Sequence, residues 1–139
     1  MIDKELVTRK AVLITEDLRA LGTLAAKPLA EYLGSPTDEV LAERYLERII
    51  GRMIDVNYHV LTESGQAPPK DYYESFTALS GIGVLDREFA TRIAACAGLR
   101  DRITHDYEAI EPARVHAALH SAVRDVPAYL KRLAEHLVL

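Results

Sequence analysis

From Asp38 to Glu63 no proline interrupts the chain, and apolar side chains recur at three- and four-residue intervals: Leu41, Tyr45, Leu46, Ile49, Ile50, Met53, Ile54, Val56, Val60 and Leu61. At about 100° per residue these positions cover well over half the circumference of a helix. A helix apolar on so wide an arc must be covered on two sides. The segment is therefore the centre of a helical bundle or part of a subunit interface.

The flanking stretches repeat the helical period. Val7, Ala11, Ile14, Leu18, Leu21 and Leu24 predict a first helix from about Asp3 to Leu33, which Pro28 kinks or divides. Gly34-Ser35-Pro36-Thr37 is a break, after which Thr37 or Asp38 is the expected cap. Beyond a loop with Pro68-Pro69, Asp71 is expected to cap a short helix holding Tyr72, Tyr73, Phe76 and Leu79, which Gly81-Ile82-Gly83 ends. No strand precedes those glycines and no Walker lysine follows, so they are not a phosphate-binding loop. A fourth helix is predicted from about Asp86 to Tyr107, and a last one from Pro112 to about Leu137, bent at Pro127. Strand-like alternation is absent. The pattern predicts an all-α, up-and-down bundle of about five helices, in one domain spanning residues 1–139.

Composition narrows what such a bundle does. Apolar residues make up 49% and charged residues 27% of the chain, an ordinary globular balance that excludes disorder as the main state. A formal charge of −4 argues against nucleic-acid binding by bulk attraction, so any RNA contact must come from a local basic cluster. The lone Cys96 excludes an internal disulfide and a cysteine-built zinc site. No apolar run approaches a membrane span and the opening MIDKELVTRK does not read as a signal peptide, so a cytoplasmic protein with no membrane partner is expected.

The densest chemistry lies in Leu99-Arg100-Asp101-Arg102-Ile103-Thr104-His105-Asp106-Tyr107. On a helical wheel Ala95, Cys96, Leu99 and Ile103 form one side, while Arg100, Asp101, Thr104, His105 and Tyr107 fan across the other. Imidazole moves protons near neutral pH, and guanidinium holds phosphate through two hydrogen bonds. Together these groups could attack a phosphodiester without a metal or cofactor. The residue types suit a plain solvated helix face as well, and physics alone leaves that reading open.

Arg100-x-x-x-x-His105-x-Tyr107 resembles the R-x-x-x-x-H-x-Y signature of the HepT-type toxins, within the HEPN ribonuclease superfamily. The resemblance extends to Ala42 through Arg48 with Asp55 and His59, to Pro69, Tyr72, Phe76, Leu79, Ile82 and Val84, and to Ala97-Gly98-Leu99-Arg100. It covers roughly residues 38 to 130, and the first helix only in general character. It implies a helical homodimer in which two motif helices face each other and build one RNA-cleaving cleft, with Arg100 and His105 as the catalytic pair. It also implies a partner, a minimal nucleotidyltransferase antitoxin of the MntA type, that silences the toxin by adenylylating Tyr107. The pair would be a type VII-like toxin–antitoxin system. At the position after the arginine, where asparagine is most frequent in the family, this chain has Asp101. That carboxylate adds negative charge where RNA approaches, and from four residues away it could hold His105 in a supporting role. A non-catalytic helical dimer, serving only as partner and substrate of the nucleotidyltransferase, is the competing reading.

Weaker features remain. Arg44, Arg48 and Arg52 recur every four residues, as a possible RNA-facing stripe or as partners of acidic residues on other helices. Asp55 and His59 read as a structural or dimer-interface pair. His116 and His120 have metal-ligand spacing but no third ligand, so surface histidines and no metal site are expected. Cys96 is expected to be a small buried residue.

Overall fold

The computed structural model describes residues 1–139 as six α-helices and one turn of 3₁₀-helix, without a strand. The helices are α1 (Lys4–Ala25), α2 (Leu29–Leu33), α3 (Pro36–Glu63), α4 (Tyr72–Gly81), α5 (Arg87–His105) and α6 (Pro112–Leu137). Tyr107–Ala109 form the 3₁₀ turn. The two prolines in question act differently. Pro28 divides the predicted first helix, because α1 ends at Ala25 and the proline becomes the N-cap of α2. Pro127 sits inside a continuous α6 and does not break it.

Local chemistry sets the helix starts. Asp3, Asp71 and Asp86 cap α1, α4 and α5 by accepting the amides of Leu6, Glu74 and Phe89. The cap of α3 is Ser35, whose Oγ accepts the amide of Asp38, and not Thr37 or Asp38 as the sequence suggested. Pro36 explains the earlier start: at the first helical position its missing N–H is no loss and its fixed φ suits the helix. Asp38 is thereby released to pair with Lys27, Nζ to Oδ2 2.7 Å, which ties the start of α3 to the end of α1.

α3 is the central helix. It packs against each of the other five, and Leu46, Ile49, Met53, Val60 and Leu61 are almost wholly buried. α1 and α6 close one side with Val7, Ile14, Leu21, Leu119 and Leu133, while α4 and α5 close the other with Phe76, Leu79, Phe89 and Ile93. The wide apolar arc is thus accounted for largely within one chain.

One polar chain crosses this core. Tyr129 of α6 donates its hydroxyl to Asn57 Oδ1 of α3 (2.5 Å), and Asn57 Nδ2 donates to Ser75 Oγ of α4 (3.2 Å). Ser75 in turn donates to the carbonyl of Tyr72 (2.7 Å). Tyr129, Asn57 and Ser75 are fully buried, so each link satisfies a group that water cannot reach.

Asn57→Ala should leave the hydroxyls of Tyr129 and Ser75 short of a partner and destabilise the fold by about 2–3 kcal/mol in urea denaturation. Tyr129→Phe, which removes one donor and keeps the ring, should cost about 1–2 kcal/mol. A loss below about 0.5 kcal/mol for Asn57→Ala would show that the chain contributes no stability.

Candidate active site

The motif helix does not run as far as the sequence suggested. α5 ends at His105, Asp106 leaves helical geometry, and Tyr107 opens the 3₁₀ turn. The chain has to reverse into α6, and Glu111, preceding Pro112, is kept out of the helical region. With no continuous helix through Tyr107, the wheel that set its ring beside Arg100 does not apply. Tyr107 instead lies on the reversal and is 64% exposed, open to a partner.

The wheel also misjudged the two sides of α5. Its buried side is carried by Ala90, Ile93, Ala94 and Ala97, with Ile103 below them. The alanines bring α5 close to α4, an effect that hydrophobicity ranking understates. Ala95 is exposed, and Leu99 and Cys96 are half-buried.

These last residues line a groove of about 260 Å³ between α5 and α6, floored by Leu46, Ile49, Ile50 and Met53 of α3. Arg92, Arg102, Arg114 and Arg124 edge it against the single acid Asp125, which binds Arg92 and Arg124 at 3.3 and 2.9 Å. Burial pushes the Asp125 carboxyl up, yet its hydrogen bonds to the two arginines outweigh this and hold it below the usual range. Here is a local basic cluster on an acidic protein, assembled from residues far apart in sequence. Only the recurrence of Arg92, Ala95, Leu99 and Arg102 on one helix flank hinted at it.

Arg100 leaves α5 toward α3 and α4. Its guanidinium lies beside the backbone of Gly51 and over the ring of Tyr72, with Cζ 5.6 Å from the ring centroid. Its Nε is buried with no acceptor. His105 and Asp101 stand outside, more than two-thirds exposed, with Nε2 and Oδ1 3.7 Å apart. That separation is too long for a direct hydrogen bond. Glu47 of α3 buttresses the same end, accepting from Thr104 Oγ1 (3.2 Å) and from Arg44 Nη1 (2.5 Å). Arg100 and His105 diverge by about 140° around α5 and about 7.5 Å along it, so within one chain they do not converge on one point.

The remaining candidates find structural partners. Arg48 and Arg52 both bind the buried carboxylate of Asp17 on α1, at 3.0 and 2.7 Å, which is the second of the two roles their spacing allowed. Arg44 stays largely exposed. Asp55 and His59 each bind α1 and not one another: Lys10 Nζ lies 3.1 Å from Asp55, and the amide of Asp3 donates to His59 Nε2 at 2.8 Å. His116 is not a surface residue. It is buried against Tyr32, with Nε2 2.9 Å from the carbonyl of Lys27, because α6 packs over the end of α1 where helical carbonyls lack partners. His120 is exposed, its ring edge-on to His116. Cys96 is only half-buried, in the groove. Glu47, Gly51 and Tyr72 were not recognisable as site residues; the one available signal was that Gly51 is the sole glycine of α3, an unfavourable choice in a helix interior.

Comparison with known proteins identifies relatives of the chain and of its fold. A family profile described as ribonuclease HepT-like matches residues 14–133. The chain is 32% identical over 110 residues to the tRNA nuclease HepT of Aphanizomenon flos-aquae (strain 2012/KM1/D3), covering 79% of this chain and 75% of that protein. Among solved structures it resembles a toxin–antitoxin complex with AMP-PNP (TM-score 0.86, 15% identity, covering 94% of this chain and 98% of that one). A mutant of the MntA–HpeT toxin–antitoxin is similar (TM-score 0.83, 17% identity, with the same coverage). So is YutE, a cytosolic protein of unknown function from Bacillus subtilis (TM-score 0.80, 14% identity, covering 98% of this chain and 91% of that one). The profile match over residues 14–133 and the 32% identity over most of both chains place this chain in the HepT-like ribonuclease family.

Proposed function

We propose that this protein is a metal-independent endoribonuclease toxin whose cleft is completed by a second copy of the chain. The observation that carries the reading is the state of Arg100. It is packed beside Gly51 and Tyr72, its buried Nε finds no acceptor, and its helix also carries an exposed imidazole. A guanidinium left free of internal partners in an acidic protein is suited to receive a phosphate. His105 takes the proton of the RNA 2′-hydroxyl, whose oxygen attacks phosphorus. The bond to the 5′-oxygen breaks, that oxygen leaves with a proton from imidazole, and a 2′,3′-cyclic phosphate remains. Asp101 supports the imidazole from one turn away. The exposed Arg102 and Arg44 extend the path of the RNA backbone, while Arg48 and Arg52 are held against α1 by the single carboxylate of Asp17. The name of the cyanobacterial relative makes tRNA the first substrate to test.

Two features support a homodimer. Arg100 and His105 of one chain point to different sides of α5, so a shared cleft pairs the Arg100 of one copy with the His105 of the other. The solvent side of α5 is built from Ala95 and Gly98 beside half-buried Leu99 and Cys96, small enough for a second α5 to approach closely. For Tyr107, exposure on a chain reversal and likeness to toxin–antitoxin structures support adenylylation by a nucleotidyltransferase antitoxin. A phosphate attached there would add negative charge and bulk at the end of the motif helix.

Purified protein incubated with tRNA in EDTA should cut it, and His105→Ala should slow cleavage by about 10²–10⁴-fold. Arg100→Lys should lose most of the activity, because lysine keeps the charge but not the fork. Cleavage that EDTA abolishes and magnesium restores would refute the mechanism. Sedimentation at micromolar concentration should show a dimer; a fully active monomer would overturn the composite cleft. Tyr107→Phe should stay toxic on expression yet escape silencing when the nucleotidyltransferase is co-expressed. Continued neutralisation that depends on the partner's catalysis would show that the switch lies elsewhere.

A further inference from the structure

We infer that Gly51 and Tyr72 are positioning residues that form a slot fixing the plane of the Arg100 guanidinium. The inference rests on the reading of Arg100 as the phosphate-binding cation. Its inner wall is the backbone of α3 at Gly51, where a Cβ would lie 3.4 Å from Nε, 3.7 Å from Nη2 and 3.9 Å from Cζ of Arg100. A methyl group just fits in that space, and any longer side chain fills it. The outer wall is the face of the Tyr72 ring, within cation–π reach of the guanidinium.

Tyr72 is itself held. Its ring meets Tyr58 edge-on at 6.2 Å, and its carbonyl accepts from Ser75, the end of the buried chain that starts at Tyr129. No hydrogen bond fixes Nε, which is buried without an acceptor, so packing on two sides has to orient the group. Nε is also the only nitrogen of Arg100 that is both buried and unpartnered, so the slot leaves the Nη end for a phosphate. Glycine in the middle of a long helix is otherwise a poor choice, and leucine would favour the helix more.

The test uses the full-length protein, a short single-stranded RNA as substrate, and the Arg Nε–H resonances read by ¹H–¹⁵N correlation. Y72L and G51L should each lower kcat by about 10²-fold, the scale of a 1 Å misplacement, with KM little changed. Y72F keeps the ring face and should retain most of the activity, as should G51A. The Arg100 Nε–H signal should be ring-shifted in the wild type and in Y72F and should move in Y72L and G51L. G51L should remain folded at the assay temperature by its melting curve, so lost activity would not trace to unfolding. If Y72L fails to fold, G51L tests the slot from the opposite wall. A Y72L protein with raised KM and unchanged kcat would make Tyr72 a substrate contact and overturn the inference. An Arg100 resonance unmoved in G51L would overturn it as well. If the wild type cuts no RNA while the resonances behave as expected, the catalytic reading of Arg100 fails and the slot stands.

Discussion

The buried hydrogen-bond chain from Tyr129 through Asn57 and Ser75 to the Tyr72 carbonyl is the constraint on which the rest of the arrangement depends. Apolar packing alone would leave α4 free to slide along α3, because ridges of similar side chains mesh in several registers. A buried amide with one acceptor partner and one donor partner admits a single register, since any slip strands polar groups in the core. α4 is thereby fixed at its first turn, where Tyr72 projects, and Arg100 packs between that ring and the backbone of α3. Stability and the placement of the site cation thus depend on the same few atoms.

Charge is distributed with a similar economy. Asp17, Asp125 and Asp38 are buried carboxylates, matched by Arg48 and Arg52 of α3, by Arg92 of α5 with Arg124, and by Lys27 of the link between α1 and α2. Five basic side chains are neutralised in this way. Leaving a buried carboxylate unpaired would be costly, so these pairs belong to the fold before they belong to any function. On α5, Arg100 and Arg102 have no acidic partner, while the groove's Arg92 and Arg124 pair with Asp125 and its Arg114 with Glu111.

Likeness to solved structures at 14–17% identity shows how loosely this bundle constrains its sequence. Helical period and a few caps suffice for the fold, and helix bundles tolerate exchange of one apolar residue for another when volume and pattern are kept. Under the proposed function the motif at the end of α5 is constrained differently, because phosphate recognition and proton transfer need particular side chains.

The family resemblance, not periodicity, singled out Arg100, His105 and Tyr107; periodicity by itself determined the all-α class, α3, α4, α5 and α6 to within a few residues, and the capping role of Asp71. These follow from local rules, in which a residue's neighbours in sequence decide its conformation. What lay beyond reach depended on contacts between distant segments. The sequence allowed two roles for Arg48 and Arg52, and only the position of Asp17 on α1 chose between them. It put His116 on the surface, and the packing of α6 over the end of α1 buried it. It ran α5 through Tyr107, where the reversal into α6 ends it at His105. It set Ala95, Cys96, Leu99 and Ile103 on one side of α5, yet Ala90, Ala94 and Ala97 face the interior, because close approach to α4 needs small side chains. Gly51 and Tyr72 acquire meaning only when α3, α4 and α5 are brought together, since a slot for a guanidinium is a property of three backbones and not of any one segment.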